Sequence, residues 1–174
     1  GQLPEDIKEV AEAFVELALA QGWNLLYLPE NPPEELRRGL SELIGSGATM
    51  FDLLEKDFSS AALATTAGKS RAVWLDMKNP SVKQIAAAAS SPGIIMLDPG
   101  WNIVGVSAAA GADVSALEIT FGGETMPLSD AAARGIVALR PLEFDGAGYK
   151  PAERLSPFRA YFLRAYRSCL LNLP

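Results

Sequence analysis

The amino-acid sequence predicts a single α/β domain, and three observations carry that expectation. Short apolar runs bounded by glycine or proline, at 23–28 and 71–76, have the length and composition of buried strands. They alternate with longer stretches at 4–21, 34–44 and 79–89 whose apolar residues recur at helical spacing. The chain also has 174 residues, 49% of them hydrophobic, which is enough to bury one core without disulfides or a structural metal.

The elements follow in order. Ile7, Val10, Phe14, Leu17 and Ala18 form one stripe, with Pro4 suited to a first helical turn and Gly22 to a stop, so 4–21 reads as an amphipathic helix. Trp23 to Leu28 reads as a strand. Pro32 and Pro33 lead into a second helix, with Leu36, Leu40, Leu43 and Ile44 on one face, ending at Gly45-Ser46-Gly47. A short third helix is expected over 49–56, and 58–65 is open between strand and helix. Arg71 to Asp76 is a second strand, and Asn79-Pro80-Ser81 starts a helix carrying Val82, Ile85, Ala86 and Ala89. Ile94 to Leu97 and Asn102 to Val106, around Asp98-Pro99-Gly100, predict a β-hairpin. Short helices are expected at 111–118 and 129–138, a loop at 141–157 and a terminal helix at 158–173. The expected division is an α/β core over 1–128 and a C-terminal helical extension over 129–174. Gly22-Trp23-Asn24-Leu25 is echoed by Gly100-Trp101-Asn102-Ile103, but nothing around the echo repeats, and no duplication is expected.

Composition restricts the chemistry. With no histidine and one cysteine, Cys169, the chain cannot form an intrachain disulfide, a Ser-His-Asp triad or a histidine zinc site. Acids outnumber bases 21 to 15, which argues against a nucleic-acid surface. Residues 1–60 hold 12 acids and 4 bases, whereas residues 129–174 hold 4 acids and 7 bases. No apolar run reaches the roughly 20 residues of a membrane helix. The opening Gly1-Gln2-Leu3-Pro4 reads as a processed or cleaved terminus, and a lone thiol suits the cytoplasm or an organelle lumen equally.

The order of expected elements over about 5–118 resembles the thioredoxin-like fold. The resemblance rests on the helix-to-strand passage Phe14 to Leu28, on the Asn79-Pro80 helix after Asp76, and on Ser91-Pro92-Gly93 before the hairpin. It implies a cis Pro92 beside a peptide-binding groove near Asn31. The turn that carries Cys-x-x-Cys in that family reads Pro29-Glu30-Asn31-Pro32-Pro33 here, so the resemblance implies a scaffold without dithiol exchange. Residues 22–58 and 98–106 also resemble a PAS sensor domain, and 91–106 resembles the back half of the CAP superfamily, whose functional histidines have no counterpart here.

The function expected from these readings is a non-catalytic thioredoxin-like protein-binding domain acting as an accessory subunit, adaptor or assembly factor. The alternative is a PAS-like sensor or an enzyme using Asp, Ser or Tyr. No cofactor or metal is expected, although Asp76 and Asp98 at strand ends form a candidate carboxylate pair. The expected binding residues are Pro92, Asn31 and the aromatic-basic set Arg159, Arg164, Tyr166 and Arg167 of the terminal helix, because tyrosine and arginine together favour interface hot spots.

Overall fold

A computed structural model describes residues 12–29, 32–52, 71–88 and 92–174. They are mostly strand, arranged in five small antiparallel sheets with two α-helices, which overturns the expected α/β, thioredoxin-like sandwich.

Two long, bent ribbons dominate. In the first, β1 (Glu12–Leu19) pairs with β5 (Ser81–Ala88), while β2 (Gly22–Leu28) pairs with β4 (Arg71–Met77). β3 (Thr49–Asp52) extends the β2–β4 sheet. In the second, β6 (Gly93–Leu97) pairs with β15 (Cys169–Leu173), and β7 (Gly100–Val104) pairs with β14 (Tyr161–Ala165). Thus β6 and β7 do not form the expected hairpin. Each is half of a strand that changes sheets at a corner.

The corners match. In the first ribbon Ala20 and Gln21 face Lys78, Asn79 and Pro80; in the second Asp98 and Pro99 face Tyr166, Arg167 and Ser168, again two residues against three. Gly22 and Gly100 take φ of +88° and +113°, which L side chains adopt at a cost. The asparagine two residues on closes each corner. Asn24 Oδ1 accepts Ala20 N–H at 3.0 Å, and its Nδ2 donates to the carbonyls of Ala20, Gly22 and Leu75 at 2.9, 3.1 and 3.4 Å. Asn102 makes the same four bonds to Asp98, Gly100 and Leu163, at 3.0, 2.9, 3.1 and 3.4 Å. The Gly-Trp-Asn echo therefore marks an internal structural repeat.

The repeat continues. α1 (Glu34–Gly45) and α2 (Leu128–Ala133) each follow a proline, Pro33 or Pro127. Each ends in a left-handed glycine, Gly47 or Gly135, with the following amide, Ala48 or Ile136, bonded back to the carbonyl of Leu43 or Ala131 at 2.9 and 3.0 Å. The second lobe adds β8 (Ala112–Asp113), a 3₁₀ turn (Val114–Ala116), β9 (Glu118–Phe121), β10 (Glu124–Pro127), β11 (Leu142–Phe144), β12 (Tyr149–Pro151) and β13 (Arg154–Leu155). β15 is interior to the sheet β10-β9-β15-β6, and β14 to β12-β11-β14-β7.

Each lobe has its own core. Leu17, Leu26, Leu40, Leu75 and Ile85 fill the first; Leu97, Ile119, Leu155, Leu163 and Leu171 fill the second. Phe158 crosses between them: it belongs to the second half of the chain yet is wholly buried in the first lobe's core, at a φ of +60° unusual for a bulky residue. Its N–H donates to Val106 O and its O accepts from Tyr27 N–H, both at 2.9 Å. At the seam, equivalent positions meet in one cluster: Leu25 with Ile103, Ala72 with Ala160, Trp74 with Phe162. Tyr27 packs on Gly105, where a Cβ would lie 2.3 Å from the ring's Cγ.

Three expected helices are therefore strands. Over 12–19 the structure has β1, over 81–88 it has β5, and over 158–173 the terminal helix is replaced by Phe158, β14 and β15. The 49–56 helix gives way to β3 as far as Asp52, and the rest of it, with 58–65, lies outside the described residues. Physically, burying one face of a two-sided ribbon needs only alternate residues. Val15, Leu17 and Leu19, then Tyr161, Leu163 and Ala165, supply them.

Candidate functional site

The two lobes meet at a cleft lined by aromatic rings. Trp23 on β2, Phe51 on β3 and Trp74 on β4 come from the first lobe; Phe144 on β11, Tyr149 on β12 and Phe162 on β14 come from the second. The rings form a chain. Trp23 lies 5.3 Å from Phe51 and 6.3 Å from Trp74, Trp74 lies 4.9 Å from Phe144, and Tyr149 lies 5.5 Å from Phe144 and 5.6 Å from Phe162. Trp23 with Trp74 and Trp74 with Phe144 meet at 85° and 89°, the edge-to-face arrangement that the ring quadrupole favours. Perpendicular rings leave slots rather than a flat floor.

Local structure explains how these rings reach one surface. Trp23 and Leu25 alternate with Asn24 and Leu26 along β2, so the corner that buries Asn24 turns Trp23 outward, where it is 42% exposed. Trp74 alternates with Val73 and Leu75 on β4 in the same way.

Two adjoining cavities follow the rings. One, about 280 Å³, is bounded by Trp23, Phe51, Trp74 and Phe144 among the described residues. The other, about 270 Å³, shares Trp23 and Phe144 and adds Asn24, Glu143, Asp145, Ser156, Arg159 and Tyr161. The first is apolar and the second has a mixed polar and apolar lining.

The polar groups have defined partners. Arg159 reaches back across the seam, donating from Nη2 to Ala18 O and from Nη1 to Asn24 Oδ1 at 3.5 Å. Burial pulls its pKa down, with Tyr161 acting in the opposite sense. Tyr161 Oη accepts Ser156 N–H at 2.7 Å. Glu143 pairs with Lys150 at 3.5 Å across β11 and β12. Asp145 Oδ1 accepts the N–H groups of Ala147 and Gly148, both at 2.9 Å, which holds its carboxyl below the usual range. These carboxylates line the second cavity, fixed on a turn and a strand.

The residues expected to bind are dispersed. Arg159 belongs to the cleft. Arg164 and Tyr166 lie on β14 and the following corner, with the guanidinium 5.4 Å from the Tyr166 ring and 5.8 Å from that of Trp101, and Arg167 is exposed in the same corner. Pro92 is exposed immediately before β6, away from these groups, and Asn31 and Ser91 lie outside the described residues. Asp76 sits on β4 opposite Trp23, and Asp98 in the other lobe's corner. Among the described residues no group of three or more Asp, Glu or Cys is arranged to hold a metal. Gly45-Ser46-Gly47 ends α1, and Gly122-Gly123 turns β9 into β10, so neither leads into a helix as a phosphate loop would. Cys169 is buried on β15, and burial pushes its thiol pKa up.

Sequence reasoning missed Trp23, Phe51, Trp74 and Phe144 as a set, because each belongs to a different strand and no local spacing connects them. Comparison with protein-family models, curated proteins and solved structures returned no match. Among the described residues no helix is long and apolar enough to cross a membrane.

Proposed function

We propose that the protein is a peptide-binding module whose inter-lobe cleft takes a proline-containing, basic segment of a protein partner. The chain of partly exposed rings, crossed at 85° and 89° on either side of Trp74, carries this reading, because slots between aromatic rings suit the ridges of a polyproline II helix, whose preformed geometry lowers the entropy lost on docking. Glu143 and Asp145 beside the slots favour a lysine or arginine next to the prolines, and the chain's net charge of -6 adds a field of the same sign. Arg159 is held by Ala18 and Asn24, so its part is to fix the cleft wall rather than to seek an anion.

The test is fluorescence titration of the full chain with a Pro-x-x-Pro-x-Arg peptide and with its alanine-for-proline control. Trp23 is exposed enough to be removed without emptying a core, so Trp23→Ala should weaken binding about tenfold or more, in the range of an aromatic hot spot. Glu143→Gln should weaken the arginine peptide and spare its uncharged analogue. Equal binding of the proline peptide and its control, or saturable binding of an oligosaccharide in their place, refutes this reading.

A further inference from the structure

The internal repeat gives the second lobe its own counterpart of Trp23. Trp101 follows Gly100 as Trp23 follows Gly22, and both stand outward from a corner, Trp101 at 57% exposure. The residue directly opposite differs: β4 places Asp76 across from Trp23, whereas β14 places Arg164 across from Trp101. The same scaffold thus carries opposite charge at equivalent positions.

Arg164 has an unusual set of neighbours. Its guanidinium lies over Trp101 at 5.8 Å and over Tyr166 at 5.4 Å, and both rings are more than half exposed. The ion pairs of the described residues use Arg37, Lys83, Arg134, Arg140, Lys150 and Arg154, so Arg164 and the neighbouring Arg167 have no carboxylate partner there. Asp98, in the facing corner, is not within ion-pair distance of either. In a chain with 21 acids and 15 bases, two exposed arginines three positions apart, with no acidic partner among the described residues, form a local field opposed to the whole. Cation–π contact with two rings restricts rotamers that binding would otherwise have to freeze.

We propose that Trp101, Arg164, Tyr166 and Arg167 form a second docking site, which takes an acidic segment of a protein partner. An aspartate or glutamate of that segment receives the Arg164 N–H fork in a bidentate pair, Arg167 meets a second acid, and an apolar residue between them lies against Trp101. Arg164 stands two residues from Phe162 on the outward face of β14, so this site adjoins the second-lobe end of the ring chain, and its charge selects the opposite class of peptide.

The experiment is anisotropy of a fluorescein-labelled Glu-Phe-Glu-Glu peptide titrated with the full chain, alongside its lysine-substituted counterpart. The acidic peptide should bind and the lysine peptide should not. Arg164→Ala should weaken binding about tenfold. Arg164→Lys, which keeps the charge but loses the planar fork, should recover only a small part, and Trp23→Ala should leave this binding unchanged. Equal affinity for the two peptides, full rescue by Arg164→Lys, or loss in Trp23→Ala matching that in Arg164→Ala overturns the proposal. So does sedimentation showing that Arg164→Ala dissolves a dimer of this chain, since the patch would then be covered by a second copy.

Discussion

Gly105→Ala tests the seam between the lobes most directly. The backbone at Gly105 is not left-handed, so an alanine meets no dihedral penalty and space alone decides the outcome. The new Cβ would stand 2.3 Å from Tyr27 Cγ, over 1 Å inside the ordinary contact of about 3.5–4.0 Å, and 2.7 Å from both Cδ atoms. Tyr27 cannot swing away, because it is buried on β2 and its amide is bonded to Phe158 O. Overpacking of this kind costs about 1–3 kcal/mol, and the smaller entropy of an unfolded chain with alanine returns about 0.4–1 kcal/mol. A net loss of about 1–2 kcal/mol should lower Tm by roughly 2–8 °C in a chain of this size. Urea or thermal melts of a double-mutant cycle provide the assay. Tyr27→Ala alone should cost about 3–5 kcal/mol, and with the ring gone, adding Gly105→Ala should cost nothing further, a coupling of about 1–2 kcal/mol. If Gly105→Ala costs the same in both backgrounds, the two lobes do not meet through this contact.

Asn24→Ala removes five hydrogen bonds, the one from Arg159 included, from a side chain that is 4% exposed and leaves buried backbone groups unpaired, so it should destabilise by about 2–4 kcal/mol in denaturant melts. Asn102→Ala should cost less, because water reaches its corner; the reverse ranking would show that the corners are not equivalent. Native Cys169 should react with a thiol reagent far more slowly than the same chain in denaturant, since its thiol is buried with a raised pKa, and rapid labelling in buffer refutes that burial. Arg134, through a hydrogen bond and its charge, holds Glu124 below the usual carboxyl range. The backbone amides of Ala147 and Gly148 do the same for Asp145. Their contribution is full above the unfolded carboxyl pKa of about 4 and is lost as pH falls through the folded values, so Glu124→Gln with Asp145→Asn should flatten the stability curve between pH 5 and 2. An unchanged acid limb would exclude both groups as its cause.

The sequence showed β2, β4 and α1 because each has a clean signal: an apolar run between Gly22 and Pro29, another at 71–76, and a leucine face behind Pro33. Elsewhere two periods overlapped. Phe158, Phe162, Ala165 and Cys169 fall on a helical stripe, yet the buried set is Tyr161, Leu163, Ala165, Cys169 and Leu171, which alternates but skips exposed Arg167 at the corner, while Phe158 and Ala160 are buried out of phase with it. The skipped position and the phase change after Ala160 hide a period of two. Alanines did the same in β5, since they satisfy either reading. The Gly-Trp-Asn echo was visible, but in the partner strands the matching pairs, Leu75 with Leu163 and Ala72 with Ala160, are common apolar residues, and the more distinctive positions differ, Trp74 against Phe162 and Asp76 against Arg164, so no repeat registers. The cleft stayed hidden because pairing in space, not spacing along the chain, assembles Trp23, Trp74 and Phe144.

Phe158 imposes an order on events as the chain acquires its structure. The ladders of the first lobe need nothing beyond Ala88, so β1, β2, β4 and β5 have all their partners once the first half is available. Their core, however, includes a ring from a residue some seventy positions later in the sequence. Until that ring arrives, the lobe has its own ladders but lacks the bond from Tyr27 N–H to Phe158 O and a large side chain's worth of packing, the latter a deficit of about 3–5 kcal/mol on the scale of a phenylalanine removed from a core. The second lobe waits longer still, because Gly93 pairs with Leu173. Contacts this far apart in sequence slow the search for the native state, and a first lobe with an open core is the species a chaperone or protease would meet during that delay.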